Sequence, residues 1–290
     1  MKLILISDTR RPTRADGRHG LGKSMHDLAT GLRARGHEVT LLAHVDSEWD
    51  DLIPCSDEMD LANKAIGLPA DAWLDGSHDH ILSSFDPNLP VLNRIGDLEC
   101  PYKPPNSVVA TWDMQRRWTS ARVIRTGINA AEIPFCPVPA LHPYAAFMAP
   151  LDHENKGSDV VRDLHAALPD LDIRCEDDLV GESKWDFLGE ARVLLHPSRY
   201  DAAPRLPLEA AACGTPTLCL NRSGTPEHVK NGLSGMVCLN IQEMVEALHD
   251  FIPTVDRAAI RAWVEKKFSL KIMIEAYDVS LLQLEHGERW

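Results

Sequence analysis

The chain has 290 residues, 44% of them hydrophobic and 25% charged, with a net charge of −13 at pH 7. This is the composition of an ordinary globular protein with room for one large domain or two of usual size, and it excludes a disordered chain. The acidic balance also argues against a broad nucleic-acid-binding surface, which needs clustered Lys and Arg. Seven cysteines, odd in number and without a C-x-x-C pair, suit reduced thiols and point away from zinc, so no metal is expected. The opening "MKLILISD" is too short an apolar run for a signal peptide or a transmembrane segment. The expected location is the cytoplasm, with peripheral membrane association left open.

Taken in order, "LILIS" (3–7) reads as a strand buried on both faces. A helical pattern from Leu21 to Arg35 follows, with Met25, Leu28, Ala29 and Leu32 on one face and Gly36 as its stop. "HEVTLLAH" (37–44) is a second strand, and this β-loop-α-β order predicts a doubly wound α/β unit. Apolar runs at 80–85, 90–96, 107–112 and 121–128 read as further strands. "WDMQRRW" (112–118) reads as an amphipathic helix with its Trp residues packed inward, or as a contact for an anionic acceptor. The Pro-rich "IPFCPVPALHP" (133–143) is the expected linker.

The pattern then restarts. Strands are expected at 144–150, 171–176, 192–198, 215–221 and 235–239, and helices at 157–168, 183–191, 206–212, 241–251, 257–267 and 270–284, with a helix start at 224–232. The expected division is 1–135, 136–267 and a terminal helix over 268–290.

Two short motifs raise separate questions. "GRHGLGKS" (17–24) matches the P-loop pattern, which would make the chain a nucleoside triphosphatase. A P-loop follows its strand directly, whereas "DTRRPTRAD" (8–16) intervenes here, and no later strand ends in a suitable Asp. "SHDH" (77–80) offers His78 and His80 as metal or acid/base groups, although such residues more often serve as hydrogen-bonded loop side chains.

The segment "ARVLLHPSRYDAAPRLPLEAAACGTPTLCLNRSGTPEHVKNGLSGMVC" (191–238) resembles the donor-binding half of the retaining GT-B glycosyltransferases, the group 1 or family 4-like transferases. "HPS" after a strand, an acidic residue eight positions before Glu209, "LEAAACGTP", "GTPEHV" and "NGLSG" occur in the family's order. Weaker matches at 19–43, 123–135, 155–164 and 268–277 extend the likeness over nearly the whole chain. The resemblance implies two Rossmann-like doubly wound domains facing a central cleft, with the C-terminal helix returning to the N-terminal domain. It also implies transfer of a sugar from a nucleoside-diphosphate donor, of the UDP or GDP type, without a cofactor or metal. The donor would bind the C-terminal domain and the acceptor the N-terminal one. That acceptor could be a glycan, a lipid-linked sugar, a small molecule or a modified base.

A diphosphate needs cations and free backbone N–H groups. The match makes Lys156 the first candidate and Arg205 the second, though Lys156 alone would read as a solvated surface lysine. Glu209, opening an apolar helix, can accept two ribose hydroxyls or serve only as a favourable N-terminal charge. Asp201 stands where the family carries the first glutamate of its E-x7-E pair, so it would contact the donor sugar or stabilise charge as the leaving group departs; alternatively it caps a turn. Ser223, Gly224 and Thr225 can form an anion-binding nest, or Thr225 can be a plain N-cap with Pro226 at N1.

The family's glycine loop corresponds to "GLGK" (20–23), where Gly20 and Gly22 would let the backbone approach the donor and Lys23 would add charge. Asp97 is the acceptor-side candidate. Two departures are visible: the family's arginine before the Lys-Gly pair is absent, with Leu151 near its place, and Pro204 stiffens "AAPR". No side-chain nucleophile is well placed, so the resemblance implies front-face substitution. A degenerate, non-catalytic sugar-nucleotide-binding subunit is the alternative.

Overall fold

Short runs of Leu, Ile and Val become strands covered on both faces, as a parallel sheet requires. The computed structural model describes residues 1–16, 20–80, 82–85, 88–96 and 103–290, with the backbone alone for 84 and 85. The chain forms two units, Met1–Gly127 with Leu270–Trp290, and Ile128–Ser269.

The first unit contains β1 (Lys2–Ile6), α1 (Gly20–Ala34), β2 (Glu38–His44), β3 (Leu52–Cys55), α2 (Glu58–Gly67), β4 (Ala72–Asp75), α3 (Leu82–Phe85), β5 (Val91–Ile95), β6 (Ser107–Val109), α4 (Trp112–Arg117) and β7 (Arg122–Val123). Its sheet runs β3-β2-β1-β4-β5-β6-β7 with every pairing parallel. Alternation along β1 sends Leu3 and Leu5 into one cluster with Met25, Leu28 and Leu32 of α1. Ile4 and Ile6 join Leu61 and Ala65 of α2 on the other face. The chain winds outward through β2 and β3 and then returns to β4 on the far side of β1. The carboxyl ends of β1 and β4 therefore form a topological switch point, the usual ligand position of such sheets.

The second unit contains β8 (Ala145–Phe147), α5 (Ser158–Ala167), β9 (Ile173–Cys175), α6 (Gly181–Glu190), β10 (Val193–His196), α7 (Leu206–Cys213), β11 (Thr217–Leu220), β12 (Gly235–Cys238), α8 (Ile241–Asp250) and α9 (Arg257–Lys267). Its sheet runs β12-β11-β10-β8-β9, again wholly parallel, with its switch point between β8 and β10. The Pro-rich segment is tied to this unit: Cys136 N–H donates to Cys213 O at 3.0 Å, and buried Arg257 donates to Cys136 O at 2.8 Å.

The terminal helix α10 (Leu270–Glu285) returns to the first unit, as the resemblance implies. Met273, Ile274, Tyr277, Leu281 and Leu284 enter the cluster formed by β1 and α1. Gly31 permits this crossing, since a Cβ there would collide with the Ile274 side chain. The Asp278 carboxylate accepts from Arg35 Nε at 2.5 Å and contacts His37 Nε2 at 2.8 Å.

Three details differ from expectation. The run 80–85 is no strand: Leu82–Phe85 forms α3, and a segment this short lacks the length that separates the two periodicities. β3, α2 and β4 lie in a stretch whose pattern is not marked as regular structure. Of the two Trp residues at 112–118, Trp118 is buried and Trp112 is 51% exposed, so the inward packing holds for one of them.

Candidate donor site in the second unit

Both sides of the β8/β10 switch point contribute to one cluster. After β8 the chain makes a short turn ending in Lys156, and Gly157 then takes φ 84° before α5 begins. A Cβ at Gly157 would lie 2.4 Å from the Pro197 carbonyl oxygen, so only glycine fits beside the segment leaving β10. That segment is stitched to the Lys156 turn: Ser198 Oγ and Arg199 N–H donate to Asn155 O at 3.1 and 2.9 Å. Arg199 itself is committed to the Asp159 carboxylate, with Nη1 to Oδ1 at 2.6 Å, and its guanidinium holds that acid down at about 2.

The stitching delivers Lys156 Nζ to within 2.6 Å of Asp201 Oδ2. His196, the last residue of β10, places Nε2 3.5 Å from the same oxygen. Burial alone would raise the Asp201 carboxyl, but His196 and Lys156 outweigh it and hold the acid at about 2. The segment after β11 closes round the other side. Ser223 Oγ donates to Asp201 O at 2.8 Å, and Gly224 N–H donates to the same carbonyl at 3.0 Å. Ser223 has φ 55°, an unusual conformation for a non-glycine residue. Among the described residues, Ser158 Oγ and Thr225 Oγ1 on these segments are buried without a hydrogen-bond partner, and the 3.5 Å approach of His196 Nε2 to Asp201 falls short of a well-formed hydrogen bond. Such atoms cost free energy unless a ligand or water meets them.

Beside this cluster, Glu209 sits in the first turn of α7 and is 5% exposed. Lys184 Nζ, from α6, lies 2.6 Å from its Oε2, and Arg205 Nε lies 3.4 Å from its Oε1. Burial pushes the acid up, yet the two cations outweigh that and leave it below its ordinary value. Glu209 is therefore an ionised acceptor held in place from two sides.

Of the residues expected from sequence, Lys156, Asp201, Ser223 and Gly224 come together directly, with Thr225 next in the chain. Arg205 and Glu209 form an adjoining pair. Thr225 is not an N-cap: Gly224 occupies that position, Thr225 is the first residue of a four-residue 3-10 turn, and Pro226 is the second. The turn therefore begins one residue earlier than the plain capping pattern assumes, with the proline at its second position, where its missing N–H is still not needed. Lys184 and His196 were not read as site residues. His196 lies in "HPS" and could have been found as a residue at the carboxyl end of a central strand. Lys184 has no local signal, because its partner is distant in sequence.

Gly20, Gly22 and Lys23 belong to the first unit. A Cβ on Gly22 would lie 2.6 Å from Pro12 O, so this glycine lets the loop after β1 rest on α1. Lys23 pairs with Asp27, and Ser24 Oγ accepts from Arg94 Nη2 at 2.9 Å. The Lys and Ser of the P-loop pattern thus have partners within the protein. Asp97 lies outside the described residues. Among the described residues no three His, Cys, Asp or Glu converge as metal ligands.

Residues 179–254 match the family model described as glycosyl transferases group 1. No curated protein sequence matches the chain. Among solved structures, AviGT4, a glycosyltransferase involved in avilamycin A biosynthesis, superposes with a TM-score of 0.79 at 16% identity, covering 100% of this chain and 99% of that one. Sucrose-phosphate synthase from Thermosynechococcus elongatus gives 0.78 at 15% identity, covering 99% and 100%. Anabaena HepE in complex with UDP gives 0.70 at 13% identity, covering 98% and 100%. At such identities the likeness concerns the fold, which is the GT-B architecture.

Proposed function

We propose that this chain, a GT-B protein whose residues 179–254 match the model of the group 1 glycosyl transferases, moves a sugar from a UDP-type donor to an acceptor hydroxyl with retention of configuration. The observation that carries the reading is the meeting of Lys156, Asp201 and the Ser223–Gly224 turn at the β8/β10 switch point, beside an ionised, buried Glu209.

In this reading Lys156 turns from Asp201 to the donor diphosphate, and the unpartnered Thr225 hydroxyl of the 223–225 turn adds a donor to the anion site. Charge-assisted hydrogen bonds of this kind contribute roughly 1.5–3 kcal/mol each. Arg205 adds positive charge in place of the arginine missing near Leu151. Glu209, with Lys184 and Arg205 fixing its carboxylate, accepts from the ribose hydroxyls. Asp201 remains ionised beside the donor sugar and stabilises the positive charge that develops as the phosphate leaves. Front-face substitution then needs no protein nucleophile, and the departing phosphate takes the acceptor proton. The donor is a substrate in this scheme, and no further cofactor or metal is invoked.

Thermal shifts against UDP, GDP, ADP and their sugars test the reading. A ligand of the folded state at a hundred times its Kd stabilises by about 2.7 kcal/mol. UDP and one UDP-sugar are expected to raise Tm, and absence of any nucleotide-dependent shift would overturn the proposal.

A further inference from the structure

The first unit has its own cavity, of about 230 Å³, at the β1/β4 switch point. It is smaller than the roughly 300–1,000 Å³ of sites for drug-sized ligands, so it suits a compound the size of one sugar ring. Its walls include Arg10 and Arg11 from the loop after β1, and Ser77 and His80 from the loop after β4. The two ends differ in chemistry.

At one end is His80, 1% exposed and with φ 48°, a backbone strain that a bulky side chain rarely carries. Its Nδ1 lies 3.8 Å from Oδ1 of buried Asp75 and has no hydrogen-bond partner. Burial disfavours the charged imidazolium more than Asp75 favours it, so the ring stays neutral and can accept a proton or a hydrogen bond. At the other end, segment 8–16 carries three arginines against two aspartates in a chain of net charge −13. Arg11 is exposed and has no ion-pair or hydrogen-bond partner among the described residues. Among the described residues the Arg10 side chain meets Asp79, at 3.8 Å between half-exposed side chains, a contact of little strength, while its backbone N–H donates to Asp8, another residue of the cavity wall, at 2.8 Å. Gly22 allows this loop to lie against α1.

We propose that this cavity is the acceptor subsite and takes a hydroxylated, sugar-sized compound bearing one oxyanion, a phosphate or carboxylate, held by Arg10 and Arg11 with a hydroxyl facing His80. Guanidinium groups suit both oxyanions because their paired N–H donors match two oxygens. The term "acceptor" rests on the transferase reading above; the ligand chemistry rests on the cavity itself.

NMR titration of the whole protein with glucose 6-phosphate, glucuronate, glucose and inorganic phosphate tests this, using wild type, Arg10→Ala/Arg11→Ala and Lys156→Ala. At least one of the two anionic hexoses is expected to bind tenfold or more tightly than either glucose or inorganic phosphate, and the ratio between the two identifies the oxyanion. The double arginine variant should lose at least tenfold, while Lys156→Ala retains binding. Both arginines are exposed, so the variant keeps the fold. Binding that ignores the arginines, that is lost in Lys156→Ala, or that is equalled by glucose or by inorganic phosphate overturns the proposal. UDP titrated into the same samples is a separate readout: its failure to bind overturns the donor reading, whereas an arginine-independent anion overturns this one.

Discussion

Lys156 Nζ lies 2.6 Å from Asp201 Oδ2, and the two residues come from segments on opposite sides of a sheet switch point. Forty-five positions apart in sequence, they meet because Gly157 lets one segment pass against the carbonyl of Pro197 in the other. The cation and the carboxylate hold each other across that switch point, and under the proposed function the lysine turns to the donor phosphate.

The surroundings of Asp201, His196 first and Lys156 after it, give acid sensitivity. The Asp201 carboxyl lies at about 2 in the folded protein, below its ordinary value of 3.8. A depressed folded value means that the stabilisation is present above about pH 4 and is lost as pH falls towards 2. A shift of this size corresponds to about 2 kcal/mol. Asp201→Asn should flatten the stability profile between those pH values, measured by urea unfolding, while the wild type loses stability across them.

Lys184 is predicted to hold Glu209 rather than to contact solvent. Lys184→Met removes the nearer of the two cations that hold the buried Glu209 carboxylate, leaving Arg205 at 3.4 Å, and should cost about 3 kcal/mol in urea unfolding, because a buried charge stripped of its closest partner is expensive. Adding Glu209→Gln should recover part of that loss. A neutral effect of Lys184→Met would show that the 2.6 Å pair does not bear on folding.

Gly157→Ala should damage both stability and binding. The left-handed conformation costs an L-residue roughly 1–2 kcal/mol, before the contact with Pro197 O is relieved. Moving that turn also moves Lys156. Tm is expected to fall and UDP affinity to drop at least tenfold, and a variant with wild-type affinity would separate the glycine from the site.

The candidate site of the second unit was readable because its motifs follow the carboxyl ends of successive parallel strands. In such a sheet those ends lie side by side, so the motifs picked out by the family resemblance, carrying Lys156, Asp201 and the 223–225 turn, meet in space. Lys184 was not readable, since its charge is balanced by a residue in another helix. β4 was missed because "AWLD" is four residues with no alternation, although it carries Asp75 and completes the β1/β4 switch point. The short run at 80–85 had an apolar pattern compatible with either periodicity and became helix. The P-loop pattern shows the opposite failure, since its letters match while Lys23 and Ser24 are engaged by Asp27 and Arg94.

Calorimetric titration of UDP into wild type and Lys156→Ala tests the central claim most directly. The Lys156–Asp201 pair is more than a third exposed on the lysine side and should contribute no more than about 1 kcal/mol to folding, so Tm should barely move. The account predicts that UDP binds the wild type and that Lys156→Ala weakens Kd by tenfold or more. Equal affinity in the two proteins would contradict it.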